Sequence, residues 1–266
     1  MFSMFIPNKL TSTESVDIIE NIVYEYLKPL GFKKHGRTLH RFVEGDISQV
    51  VHFQNGSPSK GVYDILWINL GIRVPECAEK TFIITEPPKK YYHEYECNIR
   101  TRLGSLVDLK DSFYNLKKDP HKIADDIVKR IDKYVIPVFD TLNNRDSILK
   151  HRREYKRFDQ LNNRLILLEE AMIFGRRGDL LEAAQLFNAY YQNRLAEYNY
   201  ALEHGTKTYL KKGNRMTYHN VITNKPETII ATKNGYVTIY NANREHLIYL
   251  EELAKKLEIK LYPHEY

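Results

Sequence analysis

The residues best suited to chemistry lie in the run Cys97-Asn98-Ile99-Arg100-Thr101-Arg102-Leu103-Gly104. In an extended strand side chains alternate between faces, so Arg100 and Arg102 share one face while Ile99, Thr101 and Leu103 share the other. Two neighbouring guanidiniums are costly to bury and well suited to gripping an anion or a partner's carboxylates. The reading is therefore of a recognition surface. Other chemistry has little support: the sequence holds no G-x-x-x-x-G-K-[ST], G-x-G-x-x-G, H-E-x-x-H or G-x-S-x-G motif. His93 and Cys97 stand four apart, but the run from Tyr91 to Tyr95 leads into the arginine strand, where that spacing separates them. Two ligands do not make a tetrahedral site, so neither a metal nor a cofactor is expected, and Cys97 reads as a core cysteine.

A face must be built around those arginines. Three strand-like runs precede them: Thr38 to Glu44, Ser48 to Gln54 after Gly45-Asp46, and Tyr63 to Val74, ended by Pro75. Short turns between the first of these imply antiparallel pairing. If Leu66, Ile68, Leu70 and Ile72 turn towards helices, then Trp67, Asn69 and Arg73 turn away. Arg100 and Arg102 join them, as do His40 with Phe42 and His52 with Gln54. The expected binding face is thus Arg100, Arg102, Arg73, His40, His52, Trp67 and Asn69, exposed to solvent.

Helices frame this sheet. Thr11 and Glu14 fit a capping box, and Val16, Ile19, Val23, Tyr26, Leu27 and Leu30 follow helical spacing up to Pro29 and Gly31. Asp119-Pro120 gives a cap and a first-turn proline for a second stripe of Ile123, Ile127, Ile131 and Val135. Together these make an α+β domain over residues 1–145, with an antiparallel sheet of about four strands packed with helices. Residues 146–205 read as a helical hairpin, a single tetratricopeptide-like pair with Ala171, Phe174, Ala183 and Phe187 at the contact and Gly178 at the turn. Residues 206–266 read as a β-hairpin, Thr228 to Lys233 and Tyr236 to Tyr240 about Asn234-Gly235, followed by a helix from Asn243 to about Leu257.

Gly31-Phe32-Lys33-Lys34, Asn69-Leu70-Gly71-Ile72 and Cys97-x-Ile99-Arg100-x-Arg102-Leu103-Gly104 together resemble a bacterial family catalogued as domain of unknown function 4304, over about the first 140 residues. The resemblance implies a bacterial cytosolic protein with an α+β fold, and no activity.

Composition sets the outer bounds. With 42% apolar and 28% charged residues the chain is of the folded class rather than the disordered one. Its net charge of +6 is too small an excess for a dedicated DNA binder. Twenty tyrosines against one tryptophan suit half-buried rings with a wet end, in cores and interfaces alike. Two unpaired cysteines and no apolar run long enough to span a bilayer predict a cytoplasmic protein with no membrane partner. The expected function is a non-enzymatic binding or accessory protein with a protein partner on the basic, aromatic face. The alternatives are a nucleic-acid-binding module using that face plus the basic run Lys150 to Arg157, and an enzyme acting on an anionic small molecule.

Overall fold

The computed structural model describes residues 10–56, 64–155, 166–220, 222–240 and 244–262. The start of the expected strand at Tyr63, the end of the basic run at Lys156-Arg157 and the helix start at Asn243 lie outside the described residues. The chain divides into two compact units, residues 1–176 and 177–266.

In the first unit, helix α1 (Ser12–Leu27) opens on the expected capping box: Thr11 Oγ1 accepts from Glu14 N at 3.2 Å and Glu14 Oε2 accepts from Thr11 N at 2.7 Å. It buries Val16, Ile19, Val23 and Leu27 and closes through a 3-10 turn onto Gly31, whose φ of 86° suits a residue without Cβ. Strands β1 (Lys33–His35), β2 (Thr38–Val43), β3 (Ile47–Asn55) and β4 (Ile65–Arg73) follow. After the short helix α2 (Pro75–Glu79) and an irregular stretch come β5 (Ile99–Arg102), helix α3 (Leu103–Asp108) and the two-residue β6 (Tyr114–Asn115). The sheet is antiparallel throughout, ordered β1-β2-β3-β4-β5, with β6 also on β4. The fold is α+β, as the pattern predicts, with β1 and β6 added at positions too short for periodicity to reveal.

Register fixes the faces. Leu39 pairs with Val51, and Val51 with Leu70, which puts them on one side with Phe53, Leu66, Ile68 and Ile72. All are buried. Helices α1 and α4 (Pro120–Arg130) provide the facing apolar stripes. The Asp119 carboxylate caps α4, accepting from His121 N at 2.9 Å. A π-helical turn at Ile131–Val135 then runs into α5 (Ile136–Thr141), and the expected stripe of Ile123, Ile127, Ile131 and Val135 is buried. Gln49, fully buried on this side, donates to the Phe139 carbonyl at 2.5 Å.

Helix α6 (Arg145–His151) starts with a guanidinium bound to three carboxylates. Arg145 donates to both oxygens of Glu76 at 2.7 and 2.8 Å, to Asp46 at 3.0 and 3.2 Å, and to Glu44 at 3.2 Å. Glu76 is wholly buried, and burial of an unpaired carboxylate is expensive. Its neighbours hold Arg145 more firmly protonated than usual despite its partial burial. Helix α7 (Ile166–Arg177) ends the unit. Arg152 and Glu169, both buried, form a second internal ion pair, and the Cys77 thiol meets the Glu169 carbonyl at 3.3 Å.

In the second unit, α8 (Leu180–His204) carries β7 (Thr206–Leu210), β8 (Arg215–Asn220), β9 (Lys225–Ile230), β10 (Gly235–Ile239) and α9 (Glu245–Lys256). The expected hairpin about Asn234-Gly235 is overturned: β9 pairs with β8, and β10 with β7. The two pairings share one continuous register, Leu210 with Gly235 and Arg215 with Ile230, so they are halves of a single long ribbon. Its turn carries the positive φ of Asn224, whereas neither Asn234 nor Gly235 has the positive φ a two-residue primed turn requires. Asn234 instead accepts from Lys212 N at 2.7 Å through its side chain, at the mid-ribbon break. Residues 206–220, which carried no alternation strong enough to read, supply the partner strand. Helix α9 buries Leu247, Leu250, Leu253 and Ala254 as expected, and docks on α8 through Tyr191 Oη to Glu251 at 2.9 Å and Tyr190 to His246 at 3.2 Å.

Candidate functional site

The second face of the sheet gathers all the residues expected there. Thr38 pairs with His52, and His52 with Asn69, while Asn69 and Gly71 pair with Arg102 and Arg100. Alternation then adds His40, Phe42, Gln54, Trp67 and Arg73 to the same side.

The expectation of an open, solvated face is corrected for His40, Asn69 and Arg73, which are buried. Residues 74–98 connect two adjacent antiparallel strands, a job a tight turn can do. The excess chain folds back over the sheet. Tyr91 stacks on His35 at 3.6 Å and lies 6.1 Å from His40. Tyr92 meets Phe42 edge-on at 6.1 Å and receives the Arg73 guanidinium on its ring face at 4.0 Å. Arg73 also donates to Glu79 at 2.5 Å, so its charge is spent inside the protein. Cys97, also buried, packs against Gly71, where a Cβ would come 2.6 Å from its sulfur. Burial pushes the Cys97 thiol well above its ordinary range, in keeping with a core cysteine.

Four histidines lie along this cover, His93 being part of it and His35 remaining exposed. His52 shares a 3.0 Å hydrogen bond with Thr38 Oγ1 and faces His93 at 6.4 Å, with His35 and His40 on the neighbouring strands. No group of three or more His, Cys, Asp or Glu side chains among the described residues is arranged to hold a metal. Burial lowers the pKa of both His40 and His52, helped by Lys33 and His35 at the first and by His93 and Arg37 at the second. The unfolded chain therefore takes up protons at these positions before the folded one does. Their stabilising contribution is full above about pH 6.5, the ordinary histidine value, and is lost as pH falls below it. Glu20 and Glu94, both raised by burial, act in the opposite sense, so a comparison with a variant is needed. The urea midpoint of the wild type is expected to fall more between pH 7.5 and 5.5 than that of a His40→Gln/His52→Gln variant. Equal falls would remove the histidines from the account.

Beyond the cover the face stays open as a cleft of about 420 Å³, lined by Gln54, Asn69, Glu94, Arg100, Arg102 and Asp111, with Ser105 and Thr101 at its wall. Arg102 is held by three neighbours: its guanidinium lies over the Trp67 ring at 5.1 Å, its Nε donates to Asn69 Oδ1 at 3.2 Å, and its terminal nitrogen pairs with Asp111. Asn69 in turn donates to Gln54 Oε1 at 2.8 Å. Phe113 meets the edge of Trp67 at 6.0 Å. Arg100 differs. Its Nε lies 3.6 Å from Glu94 Oε1, an ion pair too long for a hydrogen bond. Neither side chain makes a hydrogen bond among the described residues. Burial raises the Glu94 pKa against the pull of Arg100 and Arg102.

The cleft thus uses Arg100, Arg102, Asn69 and Gln54 from the expected face, while Trp67 backs Arg102 and His40, His52 and Arg73 are taken up by the cover. Glu94, Ser105 and Asp111 were not expected. Only one signal pointed to Glu94: a connection far longer than two neighbouring strands need must cross a sheet face. Asp111 sits in a turn after α3 and carries no such mark.

Residues 23–141 match a family model described as Domain of unknown function (DUF4304). The matched stretch includes every residue of the cleft. No curated protein and no solved structure matches the chain. No helix among the described residues is long and apolar enough to cross a membrane.

Proposed function

We propose that the protein is a non-enzymatic binding protein that takes a small polar ligand into the cleft on the sheet face, with Arg100 meeting the ligand's anionic group. The observation that carries this reading is the contrast between the two arginines. Arg102 is stacked, hydrogen-bonded and ion-paired, a buttress for the cleft wall. Arg100 faces the same cavity with its donors uncommitted. A guanidinium presents a rigid fork of donors suited to a carboxylate or phosphate, and a fork held ready loses little freedom on binding. A volume of about 420 Å³ lies within the range of small-molecule sites. The lining is recognition chemistry: two amides, two hydroxyls and one ion pair, Arg102 with Asp111, held by its neighbours. A cytosolic setting belongs to this reading, since Cys77 and Cys97 are free and buried.

Thermal-shift screening of carboxylates, phosphates and amino acids against the full chain is expected to find a stabilising ligand. Arg100→Gln should weaken its binding by about tenfold or more, the scale of one charge-assisted hydrogen bond. Unchanged affinity in that variant sinks the reading. Tyr95, exposed and stacked on His93 at 5.1 Å, favours a second reading, a single-stranded nucleic-acid segment laid over the ring pair. Affinity for an oligonucleotide that falls steeply with added salt would support the second reading over the first.

A further inference from the structure

We infer that the ligand is zwitterionic, a free α-amino acid with its carboxylate on Arg100 and its ammonium on Glu94. The inference rests on the cleft reading above and names the ligand class.

The cleft is electrically balanced, with Arg100 and Arg102 set against Glu94 and Asp111. Arg102 and Asp111 satisfy each other, which leaves Arg100 and Glu94 to set the ligand's charge pattern. These two stand side by side, 3.6 Å apart and without a hydrogen bond between them, one short of acceptors and the other short of donors. A ligand bearing only an anion would gain Arg100 but bring a like charge against Glu94, and such juxtaposition costs affinity. A ligand bearing only an ammonium meets the same problem at Arg100. An α-amino acid separates its carboxylate and ammonium by a single carbon, so both ends reach adjacent opposite charges at once. Its ammonium would also give Glu94 the donor that its half-buried carboxylate lacks, reversing the penalty that burial places on its charged form. Around this pair, Ser105, Gln54 and Asn69 offer a hydroxyl and amides to the rest of the molecule, which favours a polar, uncharged side chain.

The test uses the full chain and isothermal titration with the standard α-amino acids. Propionate, ethylamine and inorganic phosphate serve as probes that carry one charge type alone. The expected result is saturable binding of at least one polar amino acid, with propionate, ethylamine and phosphate at least tenfold weaker. Glu94→Gln and Arg100→Gln should each weaken the amino acid by about tenfold or more. Arg100→Lys, which keeps the charge without the fork, should fall between wild type and Arg100→Gln; circular dichroism confirms that the variants fold. If propionate or phosphate binds as tightly as any amino acid, with Glu94→Gln neutral or improving and Arg100→Gln still damaging, the zwitterion inference fails and the cleft reading stands. If no probe binds, or binding ignores Arg100, both fail.

Discussion

Replacing Arg145 by leucine is expected to cost the first unit about 3–5 kcal/mol, the usual cost of stripping the partner from a buried charge. The guanidinium is bidentate to Glu76 and to Asp46 and also reaches Glu44. It therefore joins the β2–β3 turn, helix α2 and the start of α6. The damage comes less from the lost hydrogen bonds than from Glu76, which is fully buried and would be left as an uncompensated carboxylate. A second variant separates the two causes. Arg145→Leu combined with Glu76→Leu removes the stranded charge, and should recover part of the loss, because an apolar pair in place of a buried ion pair is often close to neutral. Urea unfolding of the two variants against wild type measures both steps. A loss below about 1 kcal/mol for Arg145→Leu would class the cluster with surface ion pairs, whose contribution is small.

Arg145 was invisible in the sequence for a reason that applies widely here. It is the first residue of a seven-residue helix and its partners lie roughly seventy to a hundred positions away, so no local period or spacing marks it. Where burial follows a local period, reading succeeded: the capping box at Thr11, the stripe of α4, the stripe of α1 from Val16 to Leu27 (Tyr26 is half-buried, and Leu30, beyond the helix end, is exposed), and the two-fold alternation that put His52, Asn69, Arg100 and Arg102 on one face. Failure came where chain folds over chain. Nothing in the alternation of β2 and β4 tells that Tyr91 and Tyr92 cover His40 and Arg73, because the cover belongs to a segment with no period of its own. The ribbon of the second unit failed differently. Asn234-Gly235 is a strong local turn signal, but pairing residues 206–220 with 225–239 in one register satisfies more backbone than a short hairpin about Asn234 could.

The glycines in the recognised motifs make a second large effect predictable, and they divide into two kinds. At Gly71 an added Cβ would meet the Cys97 side chain, Sγ at 2.6 Å and Cβ at 2.8 Å, with the nearest backbone atom, the Glu94 carbonyl, at 3.7 Å. At Gly104 it would meet Ser112 itself, carbonyl oxygen at 2.6 Å and amide nitrogen at 2.7 Å as well as the Oγ. Side chains can be trimmed and backbone cannot. Both Gly71→Ala and Gly104→Ala should destabilise by about 1–3 kcal/mol, as overpacking of a filled interior does. Adding Cys97→Gly should restore most of the loss at Gly71, whereas Ser112→Ala should restore little at Gly104. The Gly104 variant should also lose ligand affinity, because the displaced turn carries Asp111, the carboxylate that holds Arg102 against the cleft wall. Urea unfolding of the four variants reads the first contrast, and ligand titration of Gly104→Ala reads the second. If Ser112→Ala rescues Gly104→Ala as fully as Cys97→Gly rescues Gly71→Ala, then the turn at Ser112 yields to the new methyl group and Gly104 does not fix the cleft wall.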